Sequence, residues 1–170
     1  MTLKRMGFIL WTVLFLSSIL YLIATYATMP DRIAVQFDLN NKPIRWQDKP
    51  GFLVWHVGFL LGLNLVFLGI QFCLSRIPES LMNVPWRSYW FSTAERKSIA
   101  LSRMSTALVY TGVFINFTYL FIYHVIYQES ISGAFLRVRV DLAVYSILLL
   151  LSVILVIGLF LYMKPPKREN

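Results

Sequence analysis

The chain has 170 residues, of which 58% are hydrophobic and only 14% charged, and its mean hydropathy is +0.64. A soluble domain carries about 25% charged residues, so this composition excludes an ordinary globular protein and points to a membrane. One cysteine excludes an intrachain disulfide or a cysteine metal cluster, and the net charge of +8 is spread between apolar runs. Cations in that position set topology and touch anionic lipid rather than nucleic acid.

Four stretches carry no charged residue: 7–30, 50–75, 104–128 and 142–163. Roughly 20 apolar residues cross a bilayer core as a helix, so each is long enough. The expectation is a single all-α membrane domain over 1–170. It has four spanning helices at 7–28, 52–74, 104–127 and 142–163, an outer loop at 29–50 and a cytoplasmic interfacial loop at 75–103. The first stretch also resembles a signal peptide, with Lys4 and Arg5 before it and Thr25-Tyr26-Ala27 as a cleavage site. Its length exceeds a signal core of about 7–15 residues, which favours an uncleaved helix. Ten Lys and Arg lie on the side of the two termini and the second loop, against six in loops one and three. The positive-inside rule then places both termini in the cytoplasm.

The first helix is apolar all round, with Trp11, Tyr21 and Tyr26 as anchors near its ends. In the loop that follows, Ile33, Val35 and Phe37 alternate with Ala34, Gln36 and Asp38, the period of a strand. Asn40-Asn41 offers a turn, because Asn tolerates positive φ, and Pro43-Ile44-Arg45-Trp46 is the return arm of a hairpin. An isolated hairpin is marginal in water, so a third element is needed. Loop three also alternates, with Leu136, Val138 and Val140 on one face. A small outer sheet and two unrelated loops on the headgroups both fit this pattern.

The second helix carries Gly58, Gly62 and Gly69 on one face and Asn64 and Gln71 on another. Small residues permit close helix approach, and amides in hydrocarbon seek partners on neighbouring helices. These read as packing positions rather than a transport path, and His56 as a boundary residue near the outer interface. Loop two mixes Trp86, Tyr89, Trp90 and Phe91 with Arg87, as an interfacial segment does. Ser92-Thr93-Ala94-Glu95 has the form of a capping box starting a helix at Ser92. In the third helix Asn116, Tyr119, Tyr123 and Tyr127 form one polar stripe, with His124 on the adjacent face. The stripe lines a small cavity or packs on the amide face of the second helix; packing is the reading preferred here. The fourth helix is nearly featureless, with Ser146, Ser152 and Gly158 as its small positions.

Two motifs carry a resemblance. Pro30, Phe37, Trp46 and Lys49 are spaced as in the outer loop of the domain-of-unknown-function 1648 family, with Asn41 where that family has Gly. Gln36 and Ile44 replace the family's His and Asp, so the imidazole and carboxylate of that loop are missing. Asn83, Pro85, Tyr89 and Trp90, followed by Glu95 and Arg96, are similar to the family's second motif. The resemblance implies a small bacterial integral membrane protein akin to the N-terminal part of SdpI-type immunity proteins. It also implies a binding role in immunity, sensing or regulation.

The spans contain no Asp, Glu, Lys or Arg, whereas charge within a span marks ion and proton paths. No phosphate-binding glycine loop, His-Glu-x-x-His motif or carboxylate pair occurs, and the histidines have no evident partners. The expectation is a non-enzymatic multi-pass protein of the cell membrane with no cofactor, metal or nucleic acid. Its partners are the lipid bilayer and either an extracellular peptide or another membrane protein. The alternative role is an accessory subunit of a larger membrane complex.

Overall fold

The computed structural model describes residues 2–38, 42–132 and 138–166. In chain order it has α1 (Leu3–Tyr26), β1 (Arg32–Phe37), β2 (Pro43–Asp48), α2 (Lys49–Cys73), two single 3₁₀ turns (Leu74–Arg76 and Glu79–Leu81), α3 (Arg87–Trp90), α4 (Ala94–Ser132) and α5 (Val138–Tyr162). Three helices among the described residues (α1, α2 with the turn that follows it, and α4) are long and apolar enough to cross a membrane. A shorter apolar stretch, Ser146–Tyr162, lies in α5.

The helix starts differ from the expected ones for local reasons. α1 begins at Leu3 because Lys4 and Arg5 are good helix formers whose heads reach water from the first turn. α2 begins three residues earlier than expected, because Asp48 caps it and Pro50 suits its first turn. The Asp48 carboxylate accepts from Gly51 N at 3.1 Å. The start of α4 shifts the other way. Thr93, not Ser92, is the cap, its Oγ1 accepting from Arg96 N at 3.2 Å. Ser92 instead donates to the Tyr89 carbonyl at 2.8 Å. Glu95 therefore does not occupy the third helical position, and the capping box does not form.

α4 is the axis of the molecule. Its 39 residues measure roughly 58 Å at 1.5 Å per residue, well beyond a hydrocarbon core of about 30 Å. α1 lies along it through Gly7, Trp11, Ser18, Leu22 and Thr25, which recur at helical spacing and are the buried residues of α1. The rest of α1 exposes Leu, Ile and Val outward, as a face in lipid requires. α2 packs on another side of α4, while α1 and α2 touch each other little.

β1 and β2 form the expected antiparallel hairpin. Arg32 pairs with Asp48, Ile33 with Gln47, Ala34 with Trp46, Gln36 with Arg45 and Phe37 with Pro43. Irregularities at Val35 and Ile44 leave those two outside the register. The turn at Asn40-Asn41 lies outside the described residues. The support the hairpin needs comes from the helices rather than a third strand. Ile33 is fully buried in a cluster with Leu22, Met29, Phe52, Leu60 and Tyr123, from α1, α2, α4 and the link after α1. The sheet has two strands among the described residues. Val138 and Val140, whose alternation fitted either a third strand or a separate loop, belong to α5, and Leu136 lies outside the description. Apolar alternation over so few residues does not distinguish a strand from the first turn of a helix.

Candidate functional site

At the hairpin end, Lys49 closes α1. Its Nζ donates to the Met29 carbonyl at 3.0 Å and lies 4.7 Å over the Tyr26 ring. A cation there meets the negative end of the helix dipole and carbonyls that α1 leaves unpaired. Pro30, half buried, sits in this link. Phe37 lies in β1, opposite Pro43, and Asn41 is outside the described residues. Ile44 and Trp46 are 58% and 47% exposed, so β2 carries an apolar surface outward.

Below the hairpin, the tyrosine stripe of α4 is bonded to both neighbours. Thr25 and Thr28 give their protons to carbonyls of α1. Tyr123 and Tyr127 must therefore be the donors to Thr25 Oγ1 at 2.6 Å and Thr28 Oγ1 at 2.8 Å. Tyr119 donates to the His56 carbonyl at 3.2 Å. The stripe packs, as preferred from its spacing: Asn116 and Tyr119 meet α2, Asn116 through the Asn64 amide, while Tyr123 and Tyr127 meet hydroxyls at the end of α1 and just after it. Both histidines have partners that the sequence did not disclose. His124 Nδ1 lies 2.6 Å from the Tyr21 hydroxyl, and the His56 ring stacks on Phe52 with centroids 3.9 Å apart. His56 is half buried.

In their middle stretches three helices meet in an amide knot. Asn64 and Asn116 exchange two hydrogen bonds of 3.1 Å. Each also donates to a carbonyl one turn back, Leu60 and Gly112, at 2.8 Å. Trp11 Nε1 donates to Asn64 Oδ1, which ties in α1. Every amide proton is used, as burial in hydrocarbon demands. Farther from the hairpin, Gln71 Nε2 donates to Ser105 Oγ, while Gln71 Oε1 is buried without a partner among the described residues.

The close-packing glycines are not the ones the spacing singled out. A Cβ on Gly112 would lie 2.6 Å from the Trp11 ring, and one on Gly7 2.6 Å from Val109. A Cβ on Gly58, Gly62 or Gly69 would meet nothing within 4 Å. Their face of α2 points away from Asn64 and is open.

The second motif builds the end opposite the hairpin. Trp90 is buried with Met82, Val84, Ala100 and Met163, and its Nε1 donates to the Met163 carbonyl at 2.9 Å. Within a segment that the sequence marks as interfacial, the ring is the centre of a small core. Arg103 stacks 4.9 Å over Trp90 and donates to the carbonyls of Tyr162 at 2.8 Å and Lys164 at 3.0 Å. Together they hold the end of α5. Arg96 lies 4.4 Å over Tyr89, and Lys97 pairs with Glu79 at 2.6 Å. Trp86 adopts a left-handed conformation (φ 55°), which turns the chain into α3 and sets its ring against Phe160. Asn83 and Glu95 are exposed and Pro85 is half buried.

Two lateral grooves flank α4 toward the hairpin end. One, of about 500 Å³, lies between α2 and α4. The other, of about 450 Å³, lies between α1 and α4 and includes Tyr21 and His124.

Residues 13–61 match the family described as Domain of unknown function (DUF1648). The match runs from α1 through the hairpin into the first half of α2; the motif around Trp90 lies beyond it. No curated protein and no solved structure matches the chain.

Proposed function

We infer, for a chain whose residues 13–61 belong to the DUF1648 family, a non-enzymatic cell-membrane protein that works by binding. α1, α2, α4 and α5 span the bilayer with both termini in the cytoplasm, and loop two lies on the inner leaflet. The outer hairpin meets an extracellular peptide or protein partner, in an immunity, sensing or regulatory role of the kind the family resemblance implies. The observation that carries this reading is the exposure of Ile44 and Trp46 on a hairpin anchored through Ile33. Exposed aromatic and branched side chains on a fixed scaffold are what a recognition surface requires.

Topology is the first test. In a Cys73→Ser background, Ile44→Cys should react with a membrane-impermeant maleimide on intact cells. Reaction only after permeabilisation would invert the orientation. The contact itself is tested by crosslinking from a photoreactive residue at position 46 in living cells. A discrete adduct that Ile44→Asp abolishes is the expected result, and adducts to lipid alone would remove the reading.

The open glycine face favours a second reading, an accessory subunit that docks a helix of another membrane protein. Gly58, Gly62 and Gly69 leave a furrow opposite the core of α2, where a partner backbone can approach closely. Replacing Gly58 and Gly62 together by Leu should then release a co-purifying partner without unfolding the chain. An unchanged complex would exclude this face.

A further inference from the structure

The two strands of the hairpin are unequally placed. β1 buries Ile33 and Ala34, whereas every residue of β2 is exposed or half buried. In an antiparallel pair, residues that bond across the ladder alternate with residues whose N–H and C=O turn away. Lys49 N donates to the Asp31 carbonyl at 2.9 Å, so the next bonded pair is Ile33 with Gln47. Trp46, the adjacent residue of β2, therefore directs its N–H and C=O to the free side. No helix or loop backbone among the described residues bonds to either. β2 is an open edge, the template to which an extended chain adds a strand.

The charge beside this edge selects the chain. Asp38 accepts from Lys42 N at 2.7 Å, and Asp48 caps α2. Lys49 is held on the Met29 carbonyl. That leaves Arg32, Lys42 and Arg45 against the carboxylate of Asp31. All three cations are exposed, and their side chains have no partner among the described residues. Arg45 lies in β2 and Lys42 directly before it. Like charges placed opposite each other repel, which disfavours a second copy of the same edge. Opposite charges steer a partner in and fix its register. Ile44 and Trp46, 58% and 47% exposed, add apolar cross-strand contacts. A lipid headgroup also carries negative charge, but it has no peptide backbone to pair with Trp46.

We propose that the free edge of β2 is completed by an extended acidic peptide. It adds a third strand beside Trp46 and sets its carboxylates against Lys42 and Arg45. The proposal rests on the binding reading above and supplies the chemistry of the partner.

The test uses the full chain in phosphatidylcholine nanodiscs. The probe is a fluorescein-labelled peptide of about six alternating Glu and Val residues, the length of an ordinary strand, followed by anisotropy. It should bind about tenfold more tightly than its Gln analogue, the scale of two exposed ion pairs, and the Lys analogue should bind more weakly still. Lys42→Glu with Arg45→Glu removes no internal bond of either side chain, so the melting temperature should hold while the preference passes to the Lys peptide. Methyl groups on alternate peptide nitrogens should abolish binding in one phase and spare it in the other, because only one set faces β2. Equal binding of the three peptides, equal effects of both methylation phases, or displacement of the Glu peptide by phosphatidylglycerol in the nanodisc would overturn the proposal. If no peptide binds, the crosslink from position 46 in cells decides. An adduct on a segment richer in Asp and Glu than in Lys and Arg upholds the proposal. An adduct on any other protein segment overturns it and leaves the binding reading standing, and adducts to lipid alone remove both.

Discussion

Asn64 and Asn116 satisfy one another so completely that neither can be removed alone without stranding the other. Asn64→Leu also orphans the Trp11 N–H and should destabilise the protein by about 1–3 kcal/mol. Asn116→Leu should behave similarly, and the double variant should cost clearly less than the sum of the two. Reversible unfolding in mixed micelles measures the coupling, and strict additivity would mean that the two amides are not partners. The glycines provide a second comparison. Gly112→Ala pushes a methyl into the Trp11 ring and should cost about 1–3 kcal/mol as overpacking. Gly58→Ala meets open space and should be neutral or stabilising by up to about 1 kcal/mol through helix propensity. If both lower stability equally in the same micelles, the assignment of the open face is wrong. The sequence marked Asn64 and Asn116 because amides are rare in apolar helices. It read Trp11 as a headgroup anchor, whereas the ring is buried on Asn64, and it did not mark Gly112, because Trp is common at interfaces and glycine in spans.

Among the elements, the hairpin depends on few groups, and Lys49 is one of them. Lys49→Gln removes the cation over Tyr26 and weakens the bond to the Met29 carbonyl. Faster hydrogen exchange is expected at Ala27 through Met29, with protection in the middle of α1 and α4 unchanged. Uniformly faster exchange would show that Lys49 supports the whole bundle instead. The strands themselves were legible, since a period of two between turn residues is a local signal. Their support was not legible, because nothing in Leu136, Val138 and Val140 records that part of this run becomes a helix. The tyrosine stripe was visible for the same reason that the strands were. Its partners Thr25 and Thr28 were not, because hydroxyls in a helix usually return to their own backbone.

For the molecule as a whole, α4 acts as the post on which the other helices lean, and α5 is held at one end by Trp90 and Arg103. Arg103→Ala should free the last turn of α5 and speed proteolysis near Lys164, while α1, α2 and α4 keep their melting temperature. Unchanged cleavage would mean that the Trp90 core alone is sufficient. What the sequence by itself determined is which segments are apolar, where the hairpin lies and which few polar side chains must find partners. Hydropathy, period and the cost of an unpaired amide all act along a single segment. Only the tertiary structure decided which helix meets which, that Trp11 fits over Gly112, that Gly58 and Gly62 face outward and that Trp90 is buried. A helix in hydrocarbon is apolar on every side, so the hydrophobic effect that orients helices in water gives no preference between lipid and protein. The choice passes to shape and to a handful of hydrogen bonds, and both exist only once the helices are side by side.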